Sequence, residues 1–419
     1  MNQTTRNIAD QIIKESIHAV LPDQAVMRAL EDFHPGSGRV LLVAAGKAAW
    51  QMAAVAVKVL GIKADGGSID RGIVITKYDH VQGDIPGIDC YEAGHPVPDE
   101  NSFAATAKAL EMVQDLTVED TVLFLLSGGG SALFEQPQIP GEELQEITRA
   151  LLSSGADIVE INTIRKRLSA VKGGRFALAA MPAKVYSIVL SDILGDPLDM
   201  IASGPAYPDS ATCQEALAIA ETYKLPLSKK AQELLRIETP KKLSNVTTKI
   251  TGSVRELCRA AKAACEKLGM EAIILTDHLD GEAAQAGIFL GDILKSHASS
   301  GKKLAFIAGG ETIVHVTGDG LGGRNQELAL SAATRISGLK DAAVCSIGSD
   351  GTDGPTDAAG GYVDGETMEE LAGKGMKIEE ILSENDAYHA LEQSGGLIMT
   401  GPTGTNVNDV AIALLYPES

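Results

Sequence analysis

Two glycine-rich turns combine chemically active side chains with the end of an apolar run. Lys47 directly follows Gly46 after the run at 39–45, and a serine- and glycine-rich turn follows residues 121–126. Glycine lets a ligand approach the backbone, and N–H groups at a helix start favour anions. Both turns therefore indicate binding of a phosphate or carboxylate group. The candidate residues in the second turn are Ser127, Gly128, Gly129, Gly130 and Ser131.

Neither turn matches a familiar catalytic motif. A Walker A loop needs glycine where Leu41 stands and serine or threonine where Ala48 stands. Residues 129–133 lack the second glycine of the turn that carries the nucleophile in many serine hydrolases. A surface lysine on a tight turn, and a second turn used only for packing, therefore stay open as alternatives to anion binding.

Cations and a carboxylate at other predicted loops extend this chemistry. In the basic segment 165–175, Lys172 and Arg175 flank two glycines and are the better ligand candidates, with a solvated basic helix face as the alternative. Asp192 follows the apolar run 184–190 and is the candidate general base, with a hydrogen-bonded turn as the alternative.

An acidic, glycine-rich loop lies at 348–357. Its three aspartates are spaced by three and four residues, which does not match the calcium loop of an EF-hand. An acidic, glycine-rich loop directly after the predicted strand 342–347 fits a Mg²⁺–phosphate site better, and a rigid structural turn is the alternative. The candidate metal ligands are Asp350, Asp353 and Asp357.

Arg324 begins a predicted helix directly after a glycine-rich loop. A guanidinium at that position can make two hydrogen bonds to a phosphate or carboxylate, whereas an exposed arginine on a capped helix is the alternative. Further candidates for substrate or phosphate binding are Glu311, Gly322, Gly323, Asn325, Thr403 and Asn406. His95 lies in a distinctive loop, but a single loop histidine is more often structural than catalytic, and it receives no functional assignment.

The elements that must position these residues alternate between strand and helix. Predicted strands in the first half lie at 39–45, 72–76, 121–126 and 184–190, with helical patterns at 101–114, 141–152 and 157–180. In the second half they lie at 248–252, 271–275, 303–308, 312–316, 342–347 and 396–399. This alternation predicts two α/β domains, and the polar segment 238–249 suggests a boundary that gives domains 1–238 and 239–419. Ligands of such sheets bind where strands end and helices begin.

Composition excludes several classes of protein. The 419 residues include 36 lysines and arginines and 56 aspartates and glutamates, a net charge of −20 that disfavours nucleic acid and acidic membranes as partners. The longest apolar runs are far shorter than the roughly 20 residues of a membrane span. Five dispersed cysteines indicate neither a zinc site nor a disulfide framework, so we expect a cytoplasmic protein.

The ordered set of loops resembles the type-2 glycerate kinases, the glycerate 2-kinase family whose C-terminal half is called the MOFRL domain. The strings that carry the resemblance cover nearly the whole chain: AAGKAAW at 44–50, AGHPVPDE at 93–100, LSGGGSAL at 126–133, KGG at 172–174 with Arg175, LSDILGD at 190–196, ASGP at 202–205, GGET at 309–312, GLGGRNQELAL at 320–330, GSDGTDGPTDAAG at 348–360 and TGPTGTNVND at 400–409.

The resemblance implies a reaction and an architecture. It implies transfer of phosphate from ATP, with Mg²⁺, to the 2-hydroxyl of D-glycerate, giving 2-phosphoglycerate. It also implies a Rossmann-like N-terminal domain of three α/β/α layers around a parallel sheet, a C-terminal α/β domain with a mixed sheet, and an active site in the cleft between them. Lys47 and Arg324 are the residues on which the family relies. The oligomeric state stays open, a homodimer included.

Two other functions stay open. Relatives have been labelled hydroxypyruvate reductases, so an NAD(P)H-dependent reductase acting on hydroxypyruvate is one alternative. A non-catalytic module that binds a sugar acid or nucleotide is the other alternative.

Overall fold

The computed structural model describes residues 1–417 and divides into two compact units. The first domain comprises residues 25–251, and the second domain comprises residues 1–24 together with the chain from Gly252 onward. Each domain contains a six-stranded sheet flanked by helices. The prediction of two α/β domains is therefore confirmed.

The chain begins with helix α1 (Gln3–Val20), which belongs to the second domain. The strands of the first domain are β1 (Val40–Ala45), β2 (Arg71–Lys77), β3 (Ile88–Ala93), β4 (Thr121–Leu126), β5 (Lys184–Leu190) and β6 (Val246–Gly252). Its helices are α2 (Pro22–Leu30), α3 (Ala49–Leu60), α4 (Glu100–Met112), α5 (Gly130–Leu133), α6 (Gly141–Ser153), α7 (Ile158–Leu168), α8 (Arg175–Ala179), α9 (Cys213–Thr222) and α10 (Lys229–Leu235).

The first sheet has the strand order β3-β2-β1-β4-β5-β6, and the five strands from β3 to β5 run parallel. Alternate residues of β1 enter two different cores: Leu41 and Val43 join one hydrophobic cluster, and Leu42 and Ala44 join the other. Strands buried on both faces are typical of parallel sheets covered by helices on each side. The three-layer α/β/α architecture is thus confirmed for this domain.

The second domain contains strands β7 (Glu271–Leu279), β8 (Leu304–Gly310), β9 (Ala342–Gly348), β10 (Gly360–Asp364), β11 (Leu397–Ile398) and β12 (Asp409–Leu415). Besides α1, its helices are α11 (Val254–Lys267), α12 (Ala283–His297), α13 (Arg324–Ile336), α14 (Thr367–Gly373), α15 (Ile378–Ser383) and α16 (Ala387–Ser394). The strand order is β11-β10-β9-β12-β8-β7, in which only β7 and β8 are parallel neighbours. The predicted mixed sheet is confirmed.

The observed division of the chain differs from the predicted boundary at 238/239 in two ways. Residues 239–251 belong to the first domain, because β6 completes its sheet beside β5. Helix α1 belongs to the second domain, because its apolar face, which includes Ile8 and Ile12, is buried where α1 packs against α11 and β9. A boundary drawn from composition alone misses both effects.

Two predicted elements also differ. The predicted strand at 312–316 is wrong, since Ile313 makes only an isolated bridge to Glu282. The predicted helix at 157–180 is broken into α7 and α8 by Gly173 and Gly174, both of which have positive φ.

Candidate functional site

The carboxyl ends of β1 and β4 meet at the centre of the first sheet. The strand order reverses between these two strands, and this is where ligands bind in open α/β sheets. The turns that follow them are joined by hydrogen bonds: the Lys47 N–H donates to the carbonyl of Gly128 at 2.9 Å, and the Ala48 N–H donates to Oγ of Ser127 at 3.0 Å. The two turns predicted to bind an anion therefore form one structure.

Glycine is required where the two turns touch. Gly46 has φ of +124°, and a β-carbon at this position would lie 2.3 Å from Oγ of Ser127. Gly129 has φ of +81°, and a β-carbon there would lie 3.1 Å from Cγ of Lys47 and 3.0 Å from Cδ2 and Nε2 of His95. The absence of these side chains lets Lys47 and His95 reach the same stretch of backbone.

Asp192 approaches the same turn at the neighbouring glycine. It follows β5, and a β-carbon on Gly128 would lie 2.2 Å from its Oδ2. Asp192 thus lies against Gly128, while Lys47 and His95 lie against Gly129. We call these five residues the Gly128–Gly129 site. It places the side chains of Lys47, His95 and Asp192 around half-buried backbone.

The remaining hydroxyl of the predicted anion turn is part of a side-chain network. Oγ of Ser131 lies 2.8 Å from Oγ of Ser203, which donates to Oδ1 of Asn162 at 2.9 Å. Gly130 is buried, with the β-carbon of Ala202 only 2.8 Å from where its own would be. Side chains of Ser203, Asn162 and Ala202 therefore hold this end of the turn in place.

Lys172 and Arg175 have structural partners. Lys172 is fully buried, donates to the carbonyls of Ser131 and Phe134 at 2.7 and 3.2 Å, and lies 3.4 Å from the buried Glu135. Burial lowers the pKa of Lys172 to about 8. Arg175 donates to the carbonyls of Arg167 and Ser169, and burial lowers its pKa as well. Both cations therefore support the chain beneath the turn.

In the second domain, Arg324 is held by two carboxylates. Its Nε and Nη2 donate to Oδ2 and Oδ1 of Asp409 at 2.6 and 3.1 Å, and its Nη1 lies 3.2 Å from Oε1 of Glu311. Asp409 begins β12, whereas Glu311 follows β8, the neighbouring strand. The side chain of Arg324 keeps 35% of its surface exposed, so an anion can reach the guanidinium.

Asp353 caps the helix that Arg324 begins. It accepts hydrogen bonds from the backbone N–H groups of Asn325 and Gln326 at 3.2 and 2.9 Å, and it also accepts one from the Asn325 amide. Negative charge at a helix N-terminus is stabilising, which explains how a carboxylate can be almost fully buried there. Burial nevertheless raises its pKa. Gly323 is required beside it, because a β-carbon would lie 2.3 Å from Cγ of Asp353.

The three predicted metal ligands do not converge. Asp353 caps α13, exposed Asp357 accepts from the hydroxyl of Tyr388, and Asp350 accepts from the backbone and hydroxyl of Thr352. Across residues 1–417, no group of three or more His, Cys, Asp and Glu side chains has an arrangement that could hold a metal ion. The three aspartates thus have separate partners, and the role of any one of them as a Mg²⁺ ligand stays a prediction.

The other predicted binding residues of this domain mainly shape loops. Thr403 donates its hydroxyl to the carbonyl of Ser349, and exposed Asn406 accepts from the N–H of Asn408. Asn325 is buried and accepts from the hydroxyl of Ser346. Gly322 is half-buried next to Asn385.

Sequence reasoning missed two residues that the structure brings to these sites. Asp409 stands directly before an apolar strand, and this placement at a strand end was its only signal. His95 was assigned no role because a lone histidine carries little information, and its proximity to Lys47 depends on the pairing of β2 with β1 and β3.

Together, the fold and the loops define a two-domain α/β protein with cations at glycine-rich strand ends. Residues 8–236 match the family model described as "Domain of unknown function (DUF4147)", and residues 304–409 match the MOFRL family. The D-glycerate 2-kinase of Thermotoga maritima is 52% identical, covering 99% of both chains. A crystal structure of glycerate kinase from the same organism matches with a TM-score of 0.93 at 51% identity, covering 99% of this chain and 100% of that one.

A more distant relative, from Agrobacterium vitis, is named putative hydroxypyruvate reductase and is 36% identical, covering 98% of this chain and 95% of that protein. The chain belongs to the type-2 glycerate kinase family, whose members carry a MOFRL domain. Within residues 1–417, no helix is both long and apolar enough to cross a membrane.

Proposed function

We propose that this chain transfers a phosphoryl group from ATP to the 2-hydroxyl of D-glycerate, giving 2-phosphoglycerate and ADP. The observation that carries the proposal is the Gly128–Gly129 site, where the side chain of Lys47 lies against Gly129 at the reversal point of a parallel sheet. The 52% identity to a D-glycerate 2-kinase over almost the whole chain supports the same reaction and substrate.

Phosphoryl transfer depends on positioning and on neutralising negative charge. Lys47 is exposed at the strand end, and we assign it to the transferring phosphoryl group or the glycerate carboxylate. Arg324 keeps part of its side chain exposed and is assigned the same kind of role. Glycerate, ATP and their transition state are all anionic, so each cation stabilises charge that the rest of this acidic protein repels.

Each domain contributes one suitable cation next to a required glycine: Lys47 follows Gly46 in the first domain, and Arg324 follows Gly323 in the second. Mg²⁺ in phosphoryl-transfer sites is held by one or two carboxylates plus substrate phosphates, so it would arrive with ATP and add charge neutralisation. The proton acceptor lies at the Gly128–Gly129 site, where Asp192 is the candidate named from the sequence.

A coupled assay tests the reaction. ADP formation that requires D-glycerate supports the kinase, whereas NADH oxidation that requires hydroxypyruvate would support the reductase and overturn the proposal. Phosphorus NMR of the product separates the 2-phosphate from the 3-phosphate. Calorimetry that shows glycerate binding without ATP turnover would support the non-catalytic alternative.

Two variants test the residue assignments. Lys47→Ala and Arg324→Ala are each expected to lower kcat by about 10²–10³-fold, the usual effect of removing one preorganised group that stabilises transition-state charge. Lys58→Ala, an exposed lysine at the far end of α3, and Arg335→Ala, at the far end of α13, are the matched controls. The double variant Lys47→Ala/Arg324→Ala provides a further test. If its loss in kcat is far from the sum of the two single effects on the activation free energy, the two residues share one site, since groups that act as a unit are non-additive. Unchanged kinetics in either single variant would remove that assignment.

A further inference from the structure

His95 lies beside Lys47 with its ring turned toward the glycine-rich turn. A β-carbon at Gly129 would lie 3.0 Å from both Cδ2 and Nε2 of the imidazole, so this edge of the ring faces the space that the glycine leaves free. Cγ of Lys47 lies 3.1 Å from the same position. The imidazole and the stem of the Lys47 side chain thus border the same space at Gly129.

The loop that carries His95 is fixed on both sides. Asp99 caps α4 and also accepts a hydrogen bond from the N–H of Gly94, and the hydroxyl of Tyr78 donates to the same carboxylate at 2.6 Å. A β-carbon on Gly94 would lie 2.7 Å from the carbonyl of Val97, so only glycine fits there. These contacts hold the backbone next to His95 while leaving its ring free to interact.

The ring nitrogens of His95 are available. Neither has a hydrogen-bond partner among residues 1–417, although the side chain is half-buried. A histidine that only supports structure usually bonds through at least one nitrogen, as His80 does to the carbonyl of Tyr78. An unpaired imidazole at the reversal point of the sheet instead favours interaction with a ligand.

The electrostatic surroundings keep the imidazole neutral. Partial burial is the main cause that lowers the pKa of His95, and three groups add to it: Lys47, Lys77 and His80. Lys47 follows β1 and Lys77 ends β2, so lysines on two neighbouring elements act on the ring. Neutral imidazole has a lone pair that can accept a proton, and the nearby cations disfavour its charged form before the substrate's negative charge arrives.

We propose that His95 is the general base that activates the 2-hydroxyl of glycerate. This inference rests on the proposed kinase function. The imidazole accepts the hydroxyl proton, the oxygen forms a bond to the γ-phosphorus of ATP, and the bond from that phosphorus to the β–γ bridging oxygen breaks. The bridging oxygen keeps the electron pair and leaves with ADP, and His95 returns its proton to solvent. Asp192, across the turn at Gly128, then has a role in positioning and is not the base.

Steady-state kinetics of His95→Ala and His95→Gln provide the test. We expect kcat to fall by about 10²–10⁴-fold, the usual contribution of a general base, with KM values changed only a few-fold. Added imidazole should restore part of the activity of His95→Ala, and the restored rate should follow the fraction of free-base imidazole as pH changes. His34→Ala is the control, because His34 is exposed and lies in the segment before β1, at the opposite end of that strand.

The outcomes distinguish a failure of the proposed kinase function from a failure of the assignment of His95 as the base. If the wild-type protein makes no ADP with glycerate, the proposed function itself fails. If the wild type is active and both His95 variants keep its kcat, His95 is not the base. A low kcat without imidazole rescue, combined with a comparable loss in Asp192→Asn, would return that role to Asp192 and overturn the inference. Because His95→Gln keeps a side chain of similar size and polarity, circular dichroism of both variants excludes a folding defect as the cause.

Discussion

Arg324 and Asp409 form a two-point ion pair across 85 residues of chain, with N–O distances of 2.6 and 3.1 Å. Asp409 is almost fully buried at the start of β12, in the middle of the second sheet, whereas Arg324 begins α13. A planar guanidinium bound at two points has little freedom to rotate. The rigid sheet therefore fixes the direction of the cation that we assign to the substrate.

Replacing Asp409 should impair catalysis. In Asp409→Asn the amide cannot accept both hydrogen bonds, so the guanidinium loses its fixed orientation. A displacement of about 1 Å in a positioning group can cost about 10²-fold, and we expect a loss of that order in kcat/KM. Asp292→Asn is the control, since Asp292 forms a solvent-exposed pair with Arg335 at 3.7 Å. Equal effects of the two substitutions in the glycerate kinase assay would argue against this role.

Stability should depend on pH through the same carboxyl group. Burial raises the pKa of Asp409 to about 6, although Arg324 opposes the shift. The folded state then binds the carboxyl proton more tightly than the unfolded state does. The contribution of Asp409 to the free energy of unfolding therefore falls as pH rises from about 4 to about 6, and it is constant above about pH 6. Urea unfolding of wild type and Asp409→Asn across this range measures the difference. A difference that instead grows in favour of the wild type with rising pH would contradict the raised pKa.

Gly323→Ala should disturb the cap of α13. Its backbone is extended with φ of −143°, so strain is not the reason; the new β-carbon would lie 2.3 Å from Cγ of Asp353. We expect a loss of about 1–3 kcal/mol in the free energy of unfolding, typical of overpacking, together with reduced activity because Arg324 is the next residue. Gly373→Ala is the matched control, since a β-carbon there meets nothing within 4 Å. Thermal unfolding that ranks the two variants equally would contradict this prediction.

Gly129→Ala should reduce activity more than stability. Alanine at φ of +81° costs roughly 1–2 kcal/mol, and the added methyl group would also press on the ring of His95 and the side chain of Lys47. Gly66→Ala carries the same backbone cost at φ of +86° but meets nothing within 4 Å. We therefore expect similar melting temperatures for the two variants and a loss of at least about tenfold in kcat for Gly129→Ala alone. Matching activities would show that the space above Gly129 is not used.

The buried strands of the first domain could be predicted closely from sequence. The pattern predicts β4 and β5 at their observed ends, because a continuous apolar run bounded by polar residues and glycine has few other interpretations. β3, with the sequence IDCYEA, is not predicted: it lies at the edge of the sheet and half of it is polar or solvent-facing. β10 and β12 are also missed, the first for its two glycines and the second because a turn-rich segment leads directly into it.

The candidate site was predictable only as a set of separate loops. Glycine and charge at strand ends identify Lys47, Asp192 and Arg324 as ligand candidates. The partners of each residue depend on pairing between distant strands, and this explains why Asp409 and His95 are missed. The helix-capping role of Asp353 was equally hidden, because an aspartate in an acidic loop looks the same whether it faces a metal ion or a helix terminus.

The first domain is inserted between α1 and the rest of the second domain, and this has a consequence for biosynthesis. Ribosomes deliver α1 well before α11 and β9, against which it packs, since both of these emerge only after residue 252. Residues 25–251 form their own compact unit and can fold in the interval, as domains generally do during synthesis. The amphipathic leading helix must therefore stay soluble without its partners until more than half of the polypeptide has been translated.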